Sequence, residues 1–342
     1  MLKRIANNIH HEIEKANFVL LLPHKNPDPD ALGSLLAFYE YIQKMGKTVY
    51  MYSTSPISQK YNFLPKFSHI ETNPQLFSSF SPDLIITLDS GDADRSGLNE
   101  ILPKIQKRPM IINIDHHQTN TLFGDINLVK AKSSSTCELL FYFFQENTIP
   151  LTQSMATNLI AGIITDTDNF TNSATNYSCL NVTSSLIQKG AKHQKIIEKL
   201  YKDKSIGILK LWGEIFKRMQ YHAELDIVFS HIKYSDYEEY NITEEDAEGF
   251  TNFLNNVNEG IAGFIFKEKE DGTIRIGLRT TKDHVDVSVI AKHFGGGGHK
   301  KAAGFSHKGP LEQAQEELFA LLQNKALLVW KQESLANEEK NC

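Results

Sequence analysis

Four short apolar runs mark the first third of the chain: Phe18–Leu22, Lys47–Tyr52, Asp83–Leu88 and Met110–Ile114. Their length, with polar or turn-forming residues on either side, predicts strands. Ala31–Met45 spreads its apolar residues at helical spacing and stops at Gly46, a helix C-cap. Residues 133–147, 151–164 and 176–189 carry the same helical signal, with Pro150 separating the first two. Strands alternating with helices predict an α/β fold on a mostly parallel, doubly wound sheet. Residues 191–223 stay helical and charged, the pattern of a connector. Strand signals return at Asp226–Ile232, Ile261–Lys267 and Thr273–Arg279. Thr243–Val257 reads as a helix with Thr243 at its N-cap and Asp246 three residues on; Asp286–Phe294 and residues 310–324 read as further helices. The expected division is a first domain over 1–190, a helical connector over 191–223, a smaller α/β domain over 224–326 and a frayed polar tail over 327–342.

Charge narrows the partners. A net charge of -5 over 342 residues argues against broad electrostatic attraction to nucleic acid or an anionic membrane. A short or small phosphorylated substrate stays open, because it needs only a local positive site. Cys137, Cys179 and Cys342 are far apart and match no zinc spacing, which predicts free thiols in a reduced compartment. Residues 1–16 read as an amphipathic helix without the apolar core of a signal peptide, and no run approaches the roughly 18 apolar residues of a membrane span. The expectation is a cytoplasmic protein.

The candidate chemistry sits where the apolar runs end. His24, Asp28 and Asp30 follow the first run, Asp89 ends the third, Asp115, His116 and His117 follow the fourth, and Asp166 follows the apolar stretch Leu159–Ile164. Loops at the carboxyl ends of parallel strands converge on one crevice. Each residue alone has an ordinary explanation as a turn former, a helix cap or a surface histidine. Five carboxylates and three imidazoles at element ends together suit one or two hard divalent cations. In the second half, Gly295-Gly296-Gly297-Gly298-His299 follows a predicted helix and precedes Ala302-Ala303-Gly304. Glycine lets main-chain N–H groups approach an anion, and Arg279 at the end of a strand offers a bidentate phosphate contact.

Four motifs make the likeness specific: His24-x3-Asp28-x-Asp30 with Gly33-Ser34, Leu88-Asp89-Ser90, Asp115-His116-His117, and Gly162-Ile163-Ile164-Thr165-Asp166-Thr167. In order and spacing they resemble the DHH phosphoesterase superfamily. Residues 295–304, with Arg279-Thr280-Thr281 upstream, resemble the DHH-associated C-terminal domain. The resemblance covers nearly the whole chain and implies that the first domain is catalytic. It implies two divalent cations, manganese foremost with magnesium as the other choice. One would be held by His24, Asp28 and Asp89, the other by Asp30, Asp89, His116 and Asp166, with Asp89 bridging. His117, Asp89 and Asp30 would be the catalytic residues, with His117 facing the substrate phosphate and Asp115 orienting the imidazoles. Arg279, Gly295, Gly296, Gly297, Gly298 and His299, with His117, would bind substrate.

The branch implied is the compact oligoribonuclease type, acting on short RNA or DNA oligonucleotides, and also on adenosine 3′,5′-bisphosphate, in a cleft between two domains. A homodimer is a further expectation. The alternatives are a phosphodiesterase for cyclic or linear dinucleotides and a non-catalytic nucleotide- or RNA-binding protein. One departure from the pattern is Asp168, where relatives often carry glycine; it is expected to point to solvent.

Overall fold

A computed structural model describes residues 2–323 except 79, 203, 245, 246, 248 and 249. The chain forms two compact units, divided between Asp203 and Lys204, within the stretch expected as a connector.

The first unit opens with helix α1 (Leu2–Lys15) and strand β1 (Phe18–Leu22), followed by α2 (Pro29–Lys44), β2 (Thr48–Tyr52) and β3 (Ile70–Glu71). Next come β4 (Leu84–Leu88), α3 (Leu98–Ile101), β5 (Met110–Asp115) and β6 (Ile126–Val129). Helices α4 (Thr136–Glu146), α5 (Gln153–Asp166), α6 (Tyr177–Gln188) and α7 (His193–Ile197) complete the unit. The strands form one parallel sheet in the order β3-β2-β1-β4-β5-β6. The chain runs outward from β1 through β2 to β3, then restarts on the other side of β1 with β4. The crevice for a ligand in such a sheet lies where the direction reverses, between β1 and β4.

Alternation along each strand fills both faces. Val19, Leu21, Ile86, Leu88, Ile112 and Ile114 enter the larger core, while Leu20, Leu22, Ile85 and Ile111 enter the smaller one opposite. Phe38 of α2 meets Phe143 and Phe144 of α4 with ring centroids 5.2 and 5.9 Å apart, which locks α2 against α4. Helix α2 also packs closely on α5. A Cβ on Gly33 would lie 2.3 Å from the Asn158 carbonyl oxygen, so only glycine admits this approach.

The second unit contains α8 (Ile206–Lys217), β7 (Gln220–His222), β8 (Ile227–Ile232), α9 (Tyr234–Glu239) and α10 (Phe250–Phe253). It continues with β9 (Ala262–Glu268), β10 (Thr273–Arg279), α11 (Val287–His293), β11 (Gly297–His299), β12 (Ala302–Lys308) and α12 (Leu311–Gln323). Its sheet order is β11-β12-β10-β9-β8-β7, antiparallel except for the β8–β9 pair. Phe264 and Phe266 face a core closed by α11 and α12; Ile265, between them, faces the core under α8, α9 and α10.

Several details differ from expectation. Among the described residues of the helix expected over 243–257, Phe250–Phe253 are helical and Leu254–Asn256 form a single 3₁₀ turn, while Asp246 lies outside the described residues. Residues 220–222, within the helical stretch, form β7. The glycine run and its sequel form β11 and β12. The tail over 327–342, with Cys342, lies outside the described residues. Among the described residues no helix is long and apolar enough to cross a membrane.

Candidate metal centre

Parallel pairing of β1 with β4 and of β4 with β5 makes the three strands end side by side. The turn after β1 delivers His24. Its Nδ1 donates to the Lys25 carbonyl oxygen at 2.8 Å, which directs Nε2 inward. That nitrogen lies 3.7 Å from Asp28 Oδ2 and 3.6 Å from Asp89 Oδ2.

Asp28 caps α2, accepting from the Asp30 and Ala31 N–H groups at 2.9 and 3.1 Å, and Pro29 pre-sets the first helical turn. Only Asp28 Oδ1 is used in the cap, so Oδ2 faces His24. Asp30 sits in the first turn of α2 and is fully buried. Its oxygens take the Thr136 N–H at 2.7 Å and the Cys137 N–H at 2.9 Å, the first free amides of α4.

Asp89 follows β4 with φ 59°, a left-handed conformation uncommon for a residue with a side chain. Such a conformation at a strand end is a cost that sites of function tolerate. Its two oxygens face different groups. Oδ2 looks at His24; Oδ1 lies 3.6 Å from His116 Nε2 and accepts the Thr136 hydroxyl at 2.9 Å.

His116 donates Nδ1 toward the Ser133 carbonyl at 3.3 Å, and its Nε2 faces three carboxylates: Asp166 at 3.1 Å, Asp89 at 3.6 Å and Asp30 at 3.9 Å. Asp166 is the last residue of α5, where the helix dipole disfavours an anion. His117 turns the other way. Its Nδ1 bonds Asp115 Oδ1 at 2.7 Å, and Asn120 Nδ2 holds Asp115 Oδ2 at 2.6 Å. With Nδ1 committed to Asp115, its approach of 3.6 Å to Asp89 is no ligand geometry for that nitrogen.

Three overlapping trios result: His24, Asp28 and Asp89; Asp89, His116 and His117; Asp30, His116 and Asp166. In each, one donor atom per residue lies within 4.8 Å of the others. Among the described residues, Asp28, Asp30, Asp89 and Asp166 form their ion pairs with histidines. Four carboxylates crowded around imidazoles fit divalent cations by the chemistry of the donor set.

The same crowding sets the protonation. Burial raises Asp30 well above the carboxylate range, and the charges of Asp166 and Asp89 push it further. Burial and Asp28 raise Asp89. Asp166 is pushed by burial to about 6 despite its bond to His116. Burial opposes the charged forms of His24 and His116, but facing carboxylates win, lifting His24 to about 9 and His116 well above its usual value. Burial also opposes ionisation of Asp28 and Asp115, yet their histidine partners hold Asp28 at about 2 and Asp115 low. His117 is raised by Asp115 and Asp89 against burial.

The remaining candidates lie elsewhere. Asp168 is exposed, in a run with Asn169 and Phe170 that has φ values of 48°, 54° and 65°. Arg279 ends β10 in the second unit, where its guanidinium donates to the Leu278 carbonyl at 2.9 Å and burial lowers its pKa. It lines a small pocket with Asn255, Glu259, Thr280 and Thr281. Arg279 pairs with Ala302, and Ala302 with His299, so the arginine and the glycine motif share one row of the sheet. Two of the four glycines answer to packing. A Cβ on Gly296 would lie 2.3 Å from the Gly304 carbonyl oxygen, and one on Gly298 would lie 2.5 Å from Ala303 Cα. Gly295 and Gly297 have open space.

Thr136 and Cys137 escape a search for charged residues at run ends, because they hold Asp30 through main-chain N–H groups. The faint signal for them is Ser133-Ser134-Ser135-Thr136, a cluster of N-cap residues before an apolar helix. Asn113, polar in the middle of an apolar strand, is the sign of the Asn120–Asp115 network: it accepts from Asn120 at 2.8 Å.

Residues 18–163 match the DHH family N-terminal domain and residues 228–326 match the DHHA1 domain. The chain belongs to the DHH family, with a DHHA1 domain following the DHH domain. Among its relatives is the bifunctional oligoribonuclease and PAP phosphatase NrnA of Thermus thermophilus, 27% identical over 301 residues that cover 88% of this chain and 87% of the relative. NrnA of Bacillus subtilis is 26% identical over 291 residues, covering 84% and 88%. An exopolyphosphatase-related protein from Bacteroides fragilis shares the fold with a TM-score of 0.87 at 23% identity, covering 95% of this chain and 97% of that one.

Proposed function

We propose that this chain is a two-metal phosphoesterase that hydrolyses short oligonucleotides and removes a phosphate from adenosine 3′,5′-bisphosphate. The observation that carries the reading is Asp89, whose two oxygens face His24 and His116 separately, as a carboxylate shared by two cations must. His24, Asp28 and Asp89 would hold one cation, and Asp30, Asp89, His116 and Asp166 the other. The oxygen and nitrogen donors favour manganese, with magnesium as the other choice. The NrnA relatives, matched over most of their length, support the choice of substrates.

Cations bound there would polarise a phosphoryl group and activate the attacking water. His117 has its Nδ1 held by Asp115, so its ring is oriented and its proton placed to stabilise phosphate charge or to protonate the leaving oxygen. Asn120 holds Asp115, which keeps that orientation when the imidazole changes charge. Arg279 offers a guanidinium to a second substrate phosphate, a contact that favours substrates carrying one. Gly295, Gly296, Gly297, Gly298 and His299 complete the binding role assigned to the second unit.

A panel tests this: short RNA, short DNA, linear and cyclic dinucleotides, adenosine 3′,5′-bisphosphate and pyrophosphate, each with manganese and with chelator. The expected result is chelator-sensitive release of mononucleotides from short RNA and of phosphate from the bisphosphate. Turnover of cyclic dinucleotides alone would move the assignment to a phosphodiesterase of that type. Binding of nucleotides without turnover under any cation would overturn the enzyme reading.

A further inference from the structure

We infer that Thr136 is a positioning residue that fixes the rotation of the Asp89 carboxylate plane; the inference rests on the metal reading above. A bridging carboxylate must give each oxygen to a different cation, yet the terminal torsion of an aspartate is broad and nearly two-fold. Its two oxygens are equivalent, so a half-turn changes nothing, but a smaller rotation takes both oxygens off their lines, and something must hold the torsion. The backbone of Asp89 is held by its N–H on the Ile114 carbonyl at 3.0 Å, in the left-handed conformation with φ 59°. At the other end, Oδ1 receives a hydroxyl, from Thr136 Oγ1 at 2.9 Å. That bond occupies one lone-pair direction of Oδ1, leaving the other toward His116, while Oδ2 keeps its line to His24.

Thr136 is completely buried, so water cannot replace its hydroxyl. Its own N–H holds Asp30 Oδ2 at 2.7 Å, so one residue addresses two carboxylates delivered by different elements. Ser135 caps α4 by accepting the Glu138 N–H at 3.0 Å, and the Phe38–Phe143 contact anchors the helix further along. The first turn of α4 is thereby a fixed template against which the loops after β1 and β4 are set.

Thr136→Val removes the hydroxyl at nearly constant volume and keeps the N–H to Asp30. Thr136→Ser keeps the hydroxyl. Manganese affinity, measured by calorimetric titration without substrate, should fall about 10–100-fold in Thr136→Val, the usual range for residues that orient metal ligands, and stay within about threefold of wild type in Thr136→Ser. Far-UV circular dichroism and melting of the cation-free proteins check that each variant is folded; if the valine variant is not, Thr136→Ala takes its place. Affinity unchanged on loss of the hydroxyl, or equally lost in Thr136→Ser, would overturn the inference. Asp89→Asn is the control: if it binds manganese as wild type does, the metal reading itself fails, whatever Thr136 does.

Discussion

Gly162→Ala probes how closely the α2–α5 contact sets the position of Asp30. A Cβ at residue 162 would stand 2.4 Å from Asp30 Oδ1, 2.9 Å from Asp30 Cα and 2.5 Å from Cys137 Sγ. In an exposed helix the change would stabilise by about 1 kcal/mol through helix propensity. Overpacking a filled core costs about 1–3 kcal/mol. The net expectation is a loss of up to about 2 kcal/mol, a fall in Tm of up to about 8 °C for a unit of this size. The effect on turnover should be larger. Relief requires moving Asp30 or separating the helices by several tenths of an ångström to about 1 Å, and misplacement on that scale costs about 10²-fold in rate. The two contacts can be separated. In Gly162→Ala with Cys137→Ala the sulfur contact is gone and that with Asp30 remains. The double variant should therefore regain part of its Tm while its manganese affinity and its rate on a short oligoribonucleotide stay low. Wild-type rate and affinity in the single variant would refute the claim that this glycine sets Asp30.

Four further outcomes are expected. His117→Ala should keep manganese binding but lose about two to four decades of rate, read by calorimetry and single-turnover hydrolysis; collapse of binding would make His117 a ligand. Manganese affinity should rise with pH between about 6 and about 9, because Asp166 and His24 hold protons up to those values without the cation and must release them to bind it; titrations at several pH values that give one affinity would refute this. The raised pKa of His24 also stabilises the cation-free fold below its ordinary value of 6.5, and that contribution is lost as pH rises through about 9. Arg279→Ala should lower kcat/KM on oligonucleotides or the bisphosphate by about 1.5–3 kcal/mol and leave a small model diester nearly unchanged; equal losses on both would place Arg279 at the reacting centre or in the fold.

The central strands of the first unit are legible in the sequence because β1, β4 and β5 are buried on both faces and so read as apolar runs with at most one polar residue inside, Thr87 in β4 and Asn113 in β5. Once those runs are recognised as parallel strands, the residues at their ends belong together, and the structure does bring His24, Asp28, Asp30, Asp89, Asp115, His116, His117 and Asp166 to one place. The edges are another matter. β3 has two residues and β6, Ile-Asn-Leu-Val, has four, too short to stand out. β11 is made of glycines and a histidine, which carry no strand propensity; only its pairing with Ala302–Gly304 makes it a strand. The hold of α4 on Asp30 was illegible for a different reason: it uses main-chain amides, which every residue except proline possesses.

The residues gathered between β1 and β4 are scattered in the chain from position 24 to position 166. An unfolded chain keeps only fragments of the set, so a cation held by these residues binds the native state and hardly the denatured one. Each tenfold of free cation above its dissociation constant then adds about 1.4 kcal/mol to the stability of the first unit. Cation supply would then govern abundance as well as turnover. In a cell starved of the ion, the first unit would lose that added stability, open more often to proteases and take the protein with it, whereas the core of the second unit, which holds none of these residues, would not feel the shortage directly.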